Sequence, residues 1–295
     1  MKTTFIISLV SLVSFKSSAQ KTPADSLRDI GQLQTAIEQY SEQYLDDPAN
    51  KYNTYNYACA LALSEQIDSA FHYLNIALTG DTTARPLNDP DFYFLLEDSR
   101  WADLENEMIK RIEEAFFTYK YPDLVKELWR MKIKDQAFYY HENLAENKLF
   151  NSAIWELKRK INEQNLDRLE EIIEEYGWPK QSEVGHMAAG TVFLIIQHAD
   201  LETQKKYLPT MTEAANNDEA QWSSLAMLMD RINMREGKPQ IYGSQIRGNG
   251  DGNFEVYEIE NPEYVNQRRA EVGLGPIEDY VKIWDIEWTI EQKAK

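Results

Sequence analysis

Tyr55-Asn56-Tyr57-Ala58-Cys59-Ala60-Leu61-Ala62-Leu63, then Ser64-Glu65-Gln66, then Asp68 to Leu78 is the stretch that decides the fold. Two helical runs flank a short polar turn, and the small side chains of Ala58, Ala70 and Ala77 let paired helices approach closely. Upstream, Leu27, Ile30, Leu33, Ala36, Ile37, Tyr40 and Tyr44 recur at intervals of three and four and so share one helical face, which Asp46-Asp47-Pro48 ends. Downstream, Asn88-Asp89-Pro90-Asp91-Phe92 starts a new segment, and Ser99-Arg100-Trp101 leads into a helix through Leu104, Met108, Ile109 and Ile112.

This spacing resembles a degenerate tetratricopeptide repeat, with Ala58, Ala70 and Ala77 in the three small positions of the helix pair. Residues 20–118 are therefore expected to form a tetratricopeptide-like helical region, whose concave surface suits a protein partner. Tyr119-Lys120-Tyr121-Pro122 breaks the pattern, because a proline disfavours helix at the residue before it, and a second domain is expected over 122–290. That domain opens with a helix holding Leu124, Leu128, Met131 and Phe138, followed by one over Leu166 to Tyr176 with Gly177 as its C-cap. Met187 to Ile196 is apolar on all sides and predicts a central helix; two more follow, over Thr203 to Asn216 and Glu219 to Arg235. Alternation through Gln240, Ile241 and Tyr242, and again from Phe254 to Ile259, flanks Gly248-Asn249-Gly250-Asp251-Gly252 and predicts a hairpin. Amphipathic helices holding Val265, Arg268 and Arg269, then Tyr280 to Ile290, close the chain. The predicted fold class is mainly α: helical-repeat hairpins followed by a helical domain with a small antiparallel β-hairpin.

Composition narrows the partners. Against 31 Lys and Arg stand 49 Asp and Glu, a formal charge of -18, and no basic stripe appears, so nucleic acid and acidic membranes are poor partners. Met1-Lys2-Thr3-Thr4, the apolar run Phe5 to Phe15 and the small residues Ser17-Ser18-Ala19 have the layout of a secretory signal peptide over residues 1–19. The run is 11 residues long, too short for a bilayer-spanning helix. Cleavage near Ala19 is expected to leave a bacterial-style secreted chain, periplasmic or extracellular, with no membrane segment and a charge of -20 once Lys2 and Lys16 are gone. The single cysteine, Cys59, lies among Tyr57, Ala58, Ala60 and Leu61, where burial is expected and a catalytic thiol is not.

The polar residues that draw attention are Gln197-His198-Ala199-Asp200, at the C-terminal end of the most apolar helix, because buried polar groups need partners. His198 at the negative end of a helix beside Asp200 suits proton transfer. Asp230-Arg231, Gln240, Tyr242 and Gln245 are the natural groups to converge on it, since two amides and a guanidinium suit a carboxylate, an amide or a sugar hydroxyl. The same set equally suits an internal hydrogen-bond network. The candidate catalytic residues are His198, Asp200 and Arg231, and the candidate ligand-binding residues Gln197, Gln240, Tyr242 and Gln245. No cofactor or metal is expected: Asn249, Asp251, Asn253 and Glu260 imitate a calcium loop poorly, with Phe254 at the glycine position. The histidines His72, His141, His186 and His198 have no ligand-pair spacing, and the glycines after Tyr242 precede a strand instead of the helix that a phosphate loop needs.

Gly177-Trp178-Pro179, Gln197-His198-Ala199-Asp200, Asp230-Arg231, Gly237-Lys238-Pro239-Gln240, Tyr242-Gly243-Ser244-Gln245 and Arg268-Arg269-Ala270-Glu271-Val272-Gly273-Leu274 follow one another in a known order. In this, about Leu124 to Val281 resembles the domain of unknown function 6624 family, with Ser244 where the family usually carries threonine and Gly185-His186-Met187 in place of an acidic stretch. The resemblance implies a mostly helical bacterial domain and no particular reaction. The functional expectation is a binding or scaffolding protein with a polar ligand site in its C-terminal domain. The alternative is a hydrolase in which His198 activates water, Asp200 orients it, and Arg231 with Gln245 meets the developing negative charge.

Overall fold

The computed structural model describes residues 21–138, 148–248 and 253–293; the expected leader at 1–19 and the opening residues 249–252 of the imitation calcium loop lie outside them. The architecture is mainly α with one small antiparallel sheet, in two compact units: one of residues up to 168 together with 183–191, the other of 169–182 together with residues from 192 onward.

The first unit begins with a capping box, in which Thr22 Oγ1 accepts from Asp25 N and the Asp25 carboxylate accepts from Thr22 N, so helix α1 (Pro23–Asp29) starts with its end groups satisfied. Helices α2 (Leu33–Asp46), α3 (Lys51–Leu63) and α4 (Ile67–Ala77) follow, each packed on the next. α3 is buried on every side from Thr54 to Ala62, because α2, α4 and the 3-10 segment Pro90–Leu95 all lean on it. Ala58, Ala70 and Ala77 are buried where small side chains permit that approach, and Cys59 is buried with them. After α4 the chain runs as two 3-10 turns (Pro86–Asn88 and Pro90–Leu95) into α5 (Ser99–Ala115), N-capped by Asp98, and α6 (Pro122–Gln136), with proline at its first position. Buried Glu105 on α5 accepts from Trp101 Nε1 at 2.9 Å and pairs with Arg130 of α6.

The α6 helix ends before Phe138, contrary to the periodicity. Phe138 takes a φ of 69° and packs against Tyr93 and Phe94, ring centroids 4.9 and 6.3 Å away, so aromatic packing on the 3-10 segment ends a helix that the sequence pattern would have continued. Helix α7 (Lys148–Tyr176) starts far earlier than Leu166: its outer turns carry ion pairs from Arg159 to Glu156 and Glu163 in place of apolar periodicity. Gly177, at φ 75°, closes α7 as a C-cap.

A single turn, α8 (Gln181–Val184), leads to α9 (His186–His198), whose residues Val192 to Ile196 are all buried. In the second unit, α10 (Leu201–Asn216) packs on α11 (Trp222–Arg235). The hairpin pairs β1 (Ile246–Gly248) with β2 (Phe254–Val256), in the register Ile246 to Val256. Gln240 to Tyr242 are thus not on the first strand. Gln240 makes only an isolated parallel bridge to Ile259, its N–H donating to Glu258 O at 2.8 Å and its C=O accepting from Glu260 N at 2.9 Å. The N–H and C=O groups of Ile241 and Tyr242 are taken by side chains of α11 and α12 (Val265–Glu271), so the bridge does not extend into a ladder. After α13 (Ile277–Val281) the helix expected over Tyr280 to Ile290 is cut short, with Asp285 at φ 55°. Beyond it, Trp284, Ile286 and Trp288 cover the small core of Ile246, Ile259, Val265, Ile277 and Val281. Burying these three side chains on that core is worth more than extending a polar helix into water. Among the described residues no helix is long and apolar enough to cross a membrane.

Candidate functional site

Asp230 faces inward from α11 and is fully buried. Its carboxylate accepts from the backbone N–H groups of Ile241 at 2.7 Å, Tyr242 at 3.0 Å and Ser244 at 2.9 Å, and from Ser244 Oγ at 2.9 Å. Burial pushes this carboxyl up against the pull of the same N–H groups, and the net shift is upward. The carbonyls of the loop find cationic and hydroxyl partners on the other side. Arg268 Nε donates to Ile241 O at 2.8 Å, Arg269 Nη1 to Tyr242 O at 2.8 Å, and Tyr280 Oη to Ser244 O at 2.7 Å. A loop that lacks secondary structure is thereby satisfied at almost every polar backbone atom, by an acid for its donors and by two arginines and a tyrosine for its acceptors. Gly243 lets the loop close: its φ is 68°, and a Cβ there would stand 2.7 Å from Ile277 Cδ1 and 2.8 Å from Ile259 Cδ1.

Two glutamines extend the network. Gln240 uses its side chain as a strand would use its backbone: Oε1 accepts from Gln245 N at 2.8 Å, and Nε2 donates to Gln245 O at 3.1 Å and to Tyr257 O at 2.8 Å. Gln245 Oε1 accepts from Arg231 Nε at 3.2 Å, and its Nε2 donates to Ser244 Oγ at 3.0 Å. Arg231 reaches on with Nη1 to the carbonyl of Gln197 at 3.1 Å.

That carbonyl belongs to the C-terminal turn of α9, where helix carbonyls lack intrahelical donors and the dipole is negative. Gln204 Nε2 of α10 also donates to Gln197 O, at 2.8 Å, and Arg235 Nη1 donates to Ala199 O at 2.7 Å. Two guanidinium groups and an amide therefore close the end of the helix. In the same place two acceptors are left over: Gln197 Oε1 and Gln204 Oε1, on residues 1 and 0 % exposed, have no donor among the described residues.

Of the residues predicted from sequence, the structure joins Arg231, Gln240, Gln245 and the main chain of Gln197 in one network, with Tyr242 attached through its backbone to Asp230 and Arg269. The Tyr242 ring is half-buried, and burial with the Asp230 and Glu271 carboxylates raises its hydroxyl. His198 is half-buried beside this network. Asp200 is exposed and serves as the N-cap of α10, accepting from Thr203 N at 2.7 Å; that hydrogen bond holds its carboxyl below the usual range. Gln204, Arg235 and Tyr280 were not singled out in the sequence, where a lone Gln on a polar helix or a Tyr in a terminal segment carries no distinctive spacing.

In the first unit Cys59, Asp89 and Asp91 bring their ligand atoms within 4.8 Å of one another. Their chemistry is that of a structural cluster: Arg28 lies 3.6 Å from Asp91, the Tyr55 hydroxyl donates to Asp89 at 2.8 Å, and burial pushes the Cys59 thiol well up, away from the thiolate that a metal takes.

The family model described as "Family of unknown function (DUF6624)" matches residues 122–293, more than half of the chain and all of the network built on Asp230. The chain belongs to this family. No curated protein and no solved structure matches it. For the DUF6624 domain of this chain, the ordered motifs over residues 197–200, 230–245 and 268–274 are therefore the parts that assemble the Asp230 network and close α9.

Proposed function

We propose that this protein is an exported binding protein whose C-terminal domain takes a small hydrogen-bond-donating ligand, an amide, amine or polyol, at the C-terminal end of α9. One observation carries the reading: Gln197 Oε1 and Gln204 Oε1 are buried acceptors without donors, beside a helix end that the protein otherwise closes group by group. An unsatisfied buried amide oxygen costs about 1 to 3 kcal/mol, so a donor entering here gains what the folded chain alone forgoes. Half-buried His198 adjoins the site and is a natural contact for the same ligand. Export rests on the leader-like residues 1–19, and a protein partner for residues 20–118 rests on their helical hairpins.

The hydrolytic alternative needs His198, Asp200, Arg231 and Gln245 to act on one substrate. Asp200 is engaged in capping α10, and Arg231 and Gln245 bond to each other, which favours the binding reading. The test is thermal melting of the mature chain against a panel of amino-acid amides, primary amines, polyols and hexoses. At least one class is expected to raise Tm, and the rise is expected to vanish in Gln197→Met. A panel without effect, as a trapped water at these oxygens would give, or a rise that survives in Gln197→Met, overturns the proposal. Subcellular fractionation with intact-mass measurement tests export, the expected mature chain beginning at Gln20.

A further inference from the structure

Small-molecule sites are concave, mostly apolar recesses with a few placed polar groups, so an apolar recess large enough for a ligand is a candidate site. The first unit holds one of about 170 Å³, a little larger than the roughly 150 Å³ apolar cavity that suffices for benzene. Its wall is mostly hydrocarbon and aromatic, from Ile112, Phe117, Tyr119, Trp129 and Val184. Three features of the lining point to a ligand.

Trp129 is 1 % exposed, and its Nε1–H has no acceptor among the described residues. Buried indole N–H groups ordinarily find a partner. Gly185 sits at φ 79°, where a Cβ would come within 2.8 Å of Tyr119 Cε1 and 3.3 Å of Phe117 Cζ; the absence of a side chain there is what lets these rings stand against the wall. Phe117 is 44 % exposed, an apolar ring at the boundary between cavity and solvent that gives an apolar molecule a way in. The lining also carries the Tyr119 hydroxyl and the exposed His186, whose imidazole is lowered by desolvation and then by the nearby Lys132 cation, so that it is neutral at neutral pH.

We propose that this cavity binds a small, mainly apolar molecule with a single hydrogen-bond acceptor, of the size and class of an aryl ketone, whose carbonyl oxygen accepts from Trp129 Nε1–H. The surroundings set the class. Hydrocarbon walls reject a charged or many-hydroxyl ligand, because its unmatched polar groups would be stripped of water, and the one orphan donor selects for one acceptor. The site differs in place and in ligand chemistry from the amide acceptors at the end of α9.

Acetophenone and ethylbenzene test it, being nearly equal in size and differing in the carbonyl. Each is titrated into the mature protein and followed by the indole ¹H–¹⁵N resonances, with that of Trp129 identified by its loss in Trp129→Phe. Acetophenone is expected to shift the Trp129 resonance and to bind about three- to tenfold more tightly than ethylbenzene, the worth of one hydrogen bond. Trp129→Phe is expected to keep ethylbenzene binding, read from aromatic ¹³C shifts, and to lose the preference. Ala84→Leu, at a partly exposed lining position, is expected to fill the space and abolish both while the far-ultraviolet melt stays cooperative. Failure of both compounds to bind, equal affinity in the wild type, or binding that survives Ala84→Leu overturns the proposal.

Discussion

Asp230 and Gly243 show how much of the second unit hangs on single residues. Removal of the Asp230 carboxylate strands three backbone N–H groups and the Ser244 hydroxyl at a buried site, so Asp230→Ala is expected to lower stability by about 3 to 5 kcal/mol. Urea unfolding with an unchanged m-value checks it; a loss below about 1 kcal/mol would mean that water enters and replaces the carboxylate. Gly243 and Gly237 have nearly the same backbone conformation, φ 68° and 72°, yet different surroundings: a Cβ at Gly237 meets nothing within 4 Å, whereas one at Gly243 collides with Ile277 and Ile259. Gly237→Ala is therefore expected to cost about 1 kcal/mol, the strain of a left-handed alanine. Gly243→Ala adds overpacking and is expected to cost roughly 2 to 4 kcal/mol. Parallel urea melts of the two variants separate conformational strain from steric collision, and equal losses would show that the loop moves aside. Neither role is legible in a sequence. The pair Asp230-Arg231 and the segment from Gln240 to Gln245 are distinguishable as polar residues in need of partners, but that one acid gathers the N–H groups of a whole loop emerges only once that loop is folded across α11.

At the scale of elements, sequence reading succeeds where apolar side chains face one side and fails where other forces set the boundaries. α9 and the α3–α4 pair are legible because their burial is continuous or periodic. The start of α7 is not, because ion pairs such as Arg159 with Glu163 sustain it without an apolar stripe, and the end of α6 is not, because Phe138 leaves the helix to stack on Tyr93 and Phe94. Hairpin position follows the same rule: alternation at Gln240 to Tyr242 imitates a strand, but only Gln240 makes a bridge, to Ile259, and side chains from neighbouring helices take the backbone hydrogen bonds of Ile241 and Tyr242. Where elements meet through charge, pH becomes a probe. Asp91, on the 3-10 segment over α3, is raised to about 7 by burial and then by the adjacent Asp89 carboxylate, against the pull of Arg28 from α1; Asp29 and the Cys59 thiol are the other titratable groups beside it. Between the unfolded value of 3.8 and about 7 the folded chain holds the extra proton, so this group's contribution to stability falls as pH rises across that window and levels off above it. Asp91→Asn, neutral throughout, is expected to lose that dependence. Its stability relative to wild type should be higher at pH 8 than at pH 5 by urea midpoint, and a difference of opposite sign would show that the Arg28 pair governs the carboxylate.

For the molecule as a whole, the property read most directly from composition is its charge, and its physical consequence is long-ranged. With -18 formal charges and a sequence pI near 4.7, the folded chain repels itself at neutral pH. Many ion pairs decorate its surface, among them Lys206 with Glu170, Lys120 with Glu183 and Arg159 with Glu156. The two effects respond oppositely to salt. Exposed pairs are worth about 0 to 1 kcal/mol each, and screening weakens them; net repulsion destabilises the compact state, and screening relieves it. Because acidic residues outnumber basic ones by 49 to 31, many carboxylates have no cation to pair with, and the repulsive sum should prevail. Raising sodium chloride from about 20 mM to about 300 mM at pH 7.5 is therefore expected to raise Tm by about 2 to 4 °C, the shift that roughly 1 kcal/mol gives in a chain of this size. Near pH 4.7, where the net charge vanishes, the same addition should leave Tm unchanged or lower it, since only the attractive pairs then remain to be screened. Differential scanning calorimetry at the two pH values decides the matter: a fall of Tm with salt at pH 7.5 would mean that specific ion pairs outweigh the repulsion of the whole.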